Sequence, residues 1–162
     1  MLNEDVLKAL NTQINRELYS GYLYFSMAAY AHAAKLTGVA NWFQCQAREE
    51  LVHAQKIYDY VWQTGARVVL NGIDQPPVDF SSVLNLFELT LTHEKKVTGM
   101  INELVEIAKK YNDSETDNFL LWFVKEQVEE EESAEAVLNK ARAAEGDIEK
   151  LMKLDAELSN RR

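Results

Sequence analysis

Glu49-Glu50-Leu51-Val52-His53-Ala54 sits where an apolar helix face should continue unbroken. Working outward, Phe43, Ala47, Glu50, Ala54, Ile57 and Val61 recur with alternating four- and three-residue spacing. That is the inward stripe of an amphipathic helix, with a carboxylate in the middle of it. Three other segments repeat the exception. One reads Leu10, Ile14, Glu17, Gly21, Tyr24, Ala28, and another Leu84, Phe87, Leu91, Glu94, Thr98, Ile101, Val105. The last reads Leu120, Phe123, Gln127, Glu130, Ala134, Val137.

Glu17, Glu50, Glu94 and the Gln127/Glu130 pair each fall near the middle of their own helix. Mid-helix positions share one layer of a bundle whichever way each helix runs. Four carboxylates should therefore meet in a dry interior, where each unpaired ionised group costs several kcal/mol. Like charges gathered there drive protonation or unfolding. No Lys or Arg occupies these seam positions, so a polyvalent cation is the simplest partner. His53 strengthens the reading, because Glu50 and His53 form an E-x-x-H whose three-residue spacing puts both on one helix face. Di-metal carboxylate bundles are built from two helices that each give a Glu and two that each give E-x-x-H. One imidazole among carboxylates favours iron or manganese over the sulfur-rich sites of structural zinc. His32 and His93 read as surface or internally satisfied histidines. Cys45 reads as a small helical residue without chemistry. Tyr24, one heptad beyond Glu17, and Trp122, about one and a half turns from Gln127, read as core residues first, with a redox role beside the metal as the second reading.

The punctuation around these seams predicts the topology. Pro76 and Pro77 are the only prolines, and Gly38, Gly65, Gly72 and Gly146 mark most other breaks. Helices are expected near 4–34, 38–64, 82–110, 114–144 and 147–159, with Asn3 or Asp5, Ser81 or Ser82, and Asp113 or Ser114 as N-caps. Short connectors make the first and second helices antiparallel, and likewise the third and fourth. Residues 66–81 are different. A helix of 27 residues is roughly 40 Å long, and sixteen extended residues reach roughly 50 Å. The connection can run the length of the bundle and start the third helix parallel to the second. The expected fold is all-α: a four-helix bundle over 4–144 with one long crossover, then a short helix at 147–159 whose Leu151, Leu154 and Leu158 need a surface to bury against.

Composition sets outer bounds. With 162 residues, one domain over 1–162 is expected. The 26 acidic residues against 17 basic ones, a net charge of −9, argue against a nucleic-acid or anionic-membrane surface. The single cysteine fits a reducing compartment. No signal peptide or membrane-length apolar run is evident, so a cytoplasmic location is expected.

The chain resembles the bacterial-type non-haem ferritins over essentially its whole length. The resemblance rests on Asn15-Arg16-Glu17-Leu18-Tyr19, Glu49-Glu50-Leu51-Val52-His53-Ala54, His93-Glu94 and Trp122-Phe123-Val124-Lys125-Glu126-Gln127-Val128-Glu129-Glu130-Glu131. It also takes in the Pro-Pro crossover and the short last helix. It implies a ferritin-like fold and iron storage through a di-iron ferroxidase centre inside each subunit, oxidising Fe²⁺ with dioxygen or hydrogen peroxide. One iron site would use Glu17, Glu50 and His53, and the second Glu94 and Glu130. Glu50 would bridge the two irons, and Gln127 would serve as a ligand or hydrogen-bonding group. A third site would draw on Glu49, Glu126, Glu129 and Glu130, and the spacing agrees in setting Glu126, Glu129 and Glu130 on one helix face. The mineral product would lie in a hollow shell of 24 identical subunits, with the last helix at the four-fold axes. Asp113, Glu115 and Asp117 are candidates for lining a cation pore.

Two departures from related haem-containing bacterioferritins are informative. Gln127-Val128-Glu129-Glu130 stands where those proteins carry a second E-x-x-H. An amide there removes a negative charge, should weaken the second iron site, and suits iron in transit. Leu51 stands where they carry the methionine that ligates haem, so no haem is expected. A di-iron peroxidase or oxidase of rubrerythrin type is the alternative, but that family usually adds a Cys-rich domain for which a one-cysteine chain has no room. DNA-protecting mini-ferritins place such ligands across a dimer interface and lack the last helix, and they often carry a basic tail longer than Asn160-Arg161-Arg162. A purely structural bundle would have lost the ligands.

Overall fold

The computed structural model describes all 162 residues, and they form five helices joined by connectors: α1 (Glu4–Ala33), α2 (Thr37–Gln63), α3 (Val83–Lys110), α4 (Ser114–Ala143) and α5 (Ile148–Leu158). No helix end differs from the sequence expectation by more than one residue, because the ends are written in capping chemistry. Asn3 accepts from the Asp5 N–H at 2.8 Å, Ser82 from Asn85 at 3.0 Å and Asp113 from Thr116 at 3.0 Å. Asp147 does the same for α5 at 3.1 Å. Each such cap stabilises its helix by about 1 kcal/mol.

Helix α2 has no cap of its own, since Leu36 occupies the position. The carboxylate comes from α5: Asp155 Oδ1 accepts from the Val39 N–H at 2.8 Å, across 116 residues of chain. Gly38 makes this possible, because a Cβ there would lie 1.6 Å from the Asp155 carbonyl oxygen. Gly38 is therefore a packing glycine and not a turn. The left-handed residue that turns α1 into α2 is Lys35, with φ 66°.

The crossover lies along α1 from end to end. Val69 N–H donates to Asn11 at 3.1 Å, Asn15 donates to the Gly72 carbonyl at 3.0 Å, Ser26 donates to the Pro77 carbonyl at 2.5 Å, and Phe80 packs edge-on against Tyr30. It thus delivers α3 parallel to α2, as the connector length predicts.

The α3 stripe is rotated from the one expected. Leu84, Leu91 and Thr98 are only partly buried, and the core line runs through Leu86, Phe87, Thr90, Glu94, Val97, Ile101 and Leu104. Thr90 hides this line from a hydrophobicity reading. Its hydroxyl donates to the Leu86 carbonyl at 2.8 Å, so a polar side chain occupies the core with its hydrogen bond satisfied.

The core itself is divided. One apolar cluster surrounds Tyr24, Met27, Phe43, Phe87, Val137 and the leucines of α5. The other surrounds Leu10, Ile14, Ile57, Ile101, Leu120 and Phe123. Glu17, Glu50, Glu94, Gln127 and Glu130 belong to neither, and in every helix they lie between the residues of the two.

Candidate metal centre

Each of the four long helices sends a carboxylate into this dividing layer. Glu17, Glu50, His53, Glu94, Gln127 and Glu130 are all buried, none exposing more than 5% of its surface. Their ligand atoms fall into overlapping groups. Glu17, Glu50 and His53 lie within 4.8 Å of one another, and so do Glu50, Glu94 and Glu130. Glu50 belongs to both groups. A further group joins His53 and Glu130 to the half-buried Glu126.

His53 stands between carboxylates on both sides. Its Nδ1 is 3.3 Å from Glu50 Oε2 and 3.9 Å from Glu17 Oε2, while its Nε2 is 3.7 Å from Glu126 Oε1 and 3.9 Å from Glu130 Oε1. The ring is held edge-on by Trp122 and Phe123.

The surrounding polar groups orient the carboxylates without neutralising them. Gln13 donates to Glu17 Oε1 at 2.8 Å, and Gln46 to Glu130 Oε2 at 2.5 Å. Tyr24 donates to Glu94 Oε1. Gln127 reaches the Glu94 carbonyl at 3.2 Å and Glu94 Oε2 at 3.3 Å. Glu17 Oε2 is buried with no hydrogen-bond partner. A carboxylate oxygen in that position is costly unless a cation meets it.

Electrostatics records the same crowding. Burial, reinforced by the charges of Glu94, Glu17 and Glu130, pushes Glu50 well above the usual carboxylate range. Burial lifts Glu94 to about 7, partly offset by the hydrogen bonds from Tyr24 and Gln127. Burial and the charge on Glu94 lift Glu130 to about 8. Burial, then the charge on Glu94, pushes the Tyr24 phenol well above its ordinary value. Carboxylates that resist ionisation in isolation, converging with one imidazole and an orphaned oxygen, suit a hard, multiply charged cation.

A family model described as a ferritin-like domain matches residues 7–144. The chain belongs to the ferritin family. A bacterial non-heme ferritin of Staphylococcus aureus is 42% identical over 139 residues, covering 86% of this chain and 84% of its own. That of Staphylococcus epidermidis is 38% identical over 161 residues, covering 99% and 97%. Among solved structures, an open pore ferritin from Archaeoglobus fulgidus superposes with a TM-score of 0.98 at 46% identity over the whole of both chains. An engineered closed form of the ferritin of that organism gives 0.99 at the same identity, covering 100% of this chain and 99% of its own.

Not every site residue expected from sequence converges in this ferritin chain. Glu49 and Glu129 stand outside the ligand groups. Glu129 is exposed, and Glu49 pairs instead with Arg161 at 2.9 Å. Trp122 packs against His53, and the Lys56 ammonium lies 4.4 Å above the Trp122 ring. His93 is internally satisfied, as its sequence position suggests, with Nε2 2.8 Å from Ser20 Oγ. Burial and nearby Lys96 lower it to about 4. Gln13, Gln46 and Arg161 escaped the sequence reading. The two amides lie four residues before Glu17 and Glu50, a spacing that could have flagged them, whereas nothing local marks Arg161.

Proposed function

We propose that the chain works as one ferritin-like domain that stores iron and oxidises it at an intra-subunit di-iron centre. The observation that carries this reading is Glu50, whose carboxylate is common to two ligand groups and so stands where a bridge between two cations would stand. Glu17, Glu50 and His53 would hold one Fe²⁺. Glu50, Glu94 and Glu130 would hold the other, with Gln127 beside them. Each Fe²⁺ gives up one electron, and dioxygen takes the two electrons with two protons and leaves as hydrogen peroxide. Hydrogen peroxide can itself accept two electrons and two protons to become two waters. Hard oxygen ligands favour Fe³⁺ over Fe²⁺, which drives the oxidation forward. Hydrolysis of Fe³⁺ then yields a ferric oxo-hydroxide and protons.

The protein's own part is to assemble the ligands and manage their protons. Glu94 and Glu130, lifted to about 7 and about 8, hold protons near neutrality that they surrender when a cation binds. Tyr24 keeps its proton and fixes one oxygen of Glu94. Glu49 and Glu126 add their negative charge to the surroundings of Glu130, and a third site drawing on Glu49, Glu126, Glu129 and Glu130 would lie on that side.

Homo-oligomer formation is supported by the ferritin relatives and by large apolar side chains left on the outer faces, among them Tyr22, Phe25, Leu70 and Val78. The closed shell of 24 subunits remains the reading we favour. The chain's structural neighbours include an open pore ferritin and an engineered closed form of the Archaeoglobus fulgidus ferritin. No helix is long and apolar enough to cross a membrane, and a cytoplasmic site of action fits the unpaired Cys45.

Aerobic addition of Fe²⁺ should give rapid ferric absorbance and a mineral inside an assembled shell. Glu50→Ala combined with His53→Ala should slow the initial oxidation by at least tenfold. An unchanged initial rate would overturn the centre. Light scattering that showed only monomers or dimers under all conditions would overturn the shell.

A further inference from the structure

Arg161, the penultimate residue, folds back over the start of α2. Its guanidinium stacks 4.5 Å from the Trp42 ring and donates to the Trp42 carbonyl at 3.2 Å. One terminal nitrogen, Nη2, donates both to Gln46 Oε1 and to Glu49 Oε2, each at 2.9 Å. A guanidinium can only donate, so the atom of the Gln46 amide that faces it must be the oxygen. The amide nitrogen is thereby turned the other way, to Glu130 Oε2 at 2.5 Å. With Oε2 engaged, the oxygen of Glu130 that approaches the His53 ring is Oε1.

We propose that Arg161 is a positioning residue for the metal centre: by fixing the orientation of the Gln46 amide it keeps one oxygen of Glu130 in a hydrogen bond and leaves the other to face a cation. The same guanidinium holds Glu49 outside the ligand groups. Glu130 belongs to the ligand group with Glu50 and Glu94 and not to the one with Glu17, Glu50 and His53, so the C-terminal tail acts first on the cation site on the Glu94/Glu130 side. Trp42, Gln46 and Glu49 all lie on α2, so the effect needs no movement of the bundle.

This inference rests on the metal-centre reading, and the experiment separates the two. Co²⁺ is titrated anaerobically into the full-length protein, with calorimetry for the affinities and the visible absorption of Co²⁺ for ligand geometry. The wild-type chain should take up two Co²⁺ per subunit in distinguishable steps. Arg161→Ala should weaken one step about tenfold and shift its absorption, leaving the other step within twofold. Gln46→Met, of similar size and without a donor, leaves Glu130 unheld and should reproduce the same selective loss. Combining the two substitutions should weaken the affected step no further than the stronger single change. Arg161→Lys keeps the charge without the forked donor and should restore less than half of the lost affinity. If Arg161→Ala does not fold, Arg161→Lys carries the test in its place. Identical binding by wild type and both variants overturns the proposal but leaves the centre standing, and so does an equal loss at both steps. A wild-type chain that binds no Co²⁺ in the layer overturns the centre and the proposal together.

Discussion

Tyr24 on α1 donates its phenolic hydrogen to Glu94 on α3, 70 residues along the chain and wholly inside the protein. The phenol stays neutral because burial and the charge on Glu94 oppose its ionisation. Its bond counteracts the burial that lifts Glu94. Tyr24→Phe should therefore destabilise the metal-free protein by about 1 kcal/mol. It should also weaken cation binding at the Glu94 side several-fold near neutral pH. Thermal unfolding in chelator and anaerobic Co²⁺ titration would read the two effects separately, and unchanged affinity would show that Tyr24 is core only.

The pH dependence of the metal-free protein follows from the raised carboxylates. Glu94 and Glu130 move from about 4.5 when unfolded to about 7 and about 8 when folded. Between those values the folded state binds more protons than the unfolded one, so the contribution of this pair to stability falls as pH rises and is spent above about 8. His93 acts oppositely. Lowered to about 4, it binds fewer protons when folded, and its contribution rises with pH only up to about 6.5. The decline should accordingly be steepest between about 6.5 and 7. Melting curves in chelator across this range would check the slope, and saturating divalent metal should flatten or reverse it.

Glu17→Gln tests whether the layer exists for binding at the expense of stability. The substitution removes one of the charges that raise Glu50 while keeping the shape of the side chain. The metal-free protein should gain about 1–2 kcal/mol, and the rise in melting temperature on adding Co²⁺ should shrink. A loss of metal-free stability would contradict the view of the layer as electrostatically strained.

Asp155 caps a helix that it does not belong to. Asp155→Ala leaves the Val39 N–H unpaired at the start of α2 and should cost about 1–2 kcal/mol. Gly38→Ala should cost more, because the added Cβ meets Asp155 backbone and forces α5 away. Amide exchange at residues 37–40 and on α5 should rise in both variants, while exchange in α3 stays slow.

The seams of α1, α2 and α4 were legible because apolar periodicity and a polar exception coincide in them. On α3 the satisfied hydroxyl of Thr90 and the half-exposed Leu84 and Leu91 displaced the apparent stripe, although Glu94 itself was identified. Helix ends were readable from Asn3, Ser82 and Asp113, whose partners lie two or three residues away. What could not be read were contacts between distant stretches of chain: Asp155 at the start of α2, and Arg161 against Gln46 and Glu49. The run Glu129-Glu130-Glu131-Glu132 shows the limit within one turn. Only Glu130 is buried, and Thr98 donates to Glu131 at 3.1 Å beside it.

Because the carboxylate layer parts the apolar interior, the metal-free subunit is two modest cores meeting at a plane of like charge. Under the proposed function, cations held between the four long helices would tie those halves together. Occupancy of the layer would then be felt as stiffness at the outer faces.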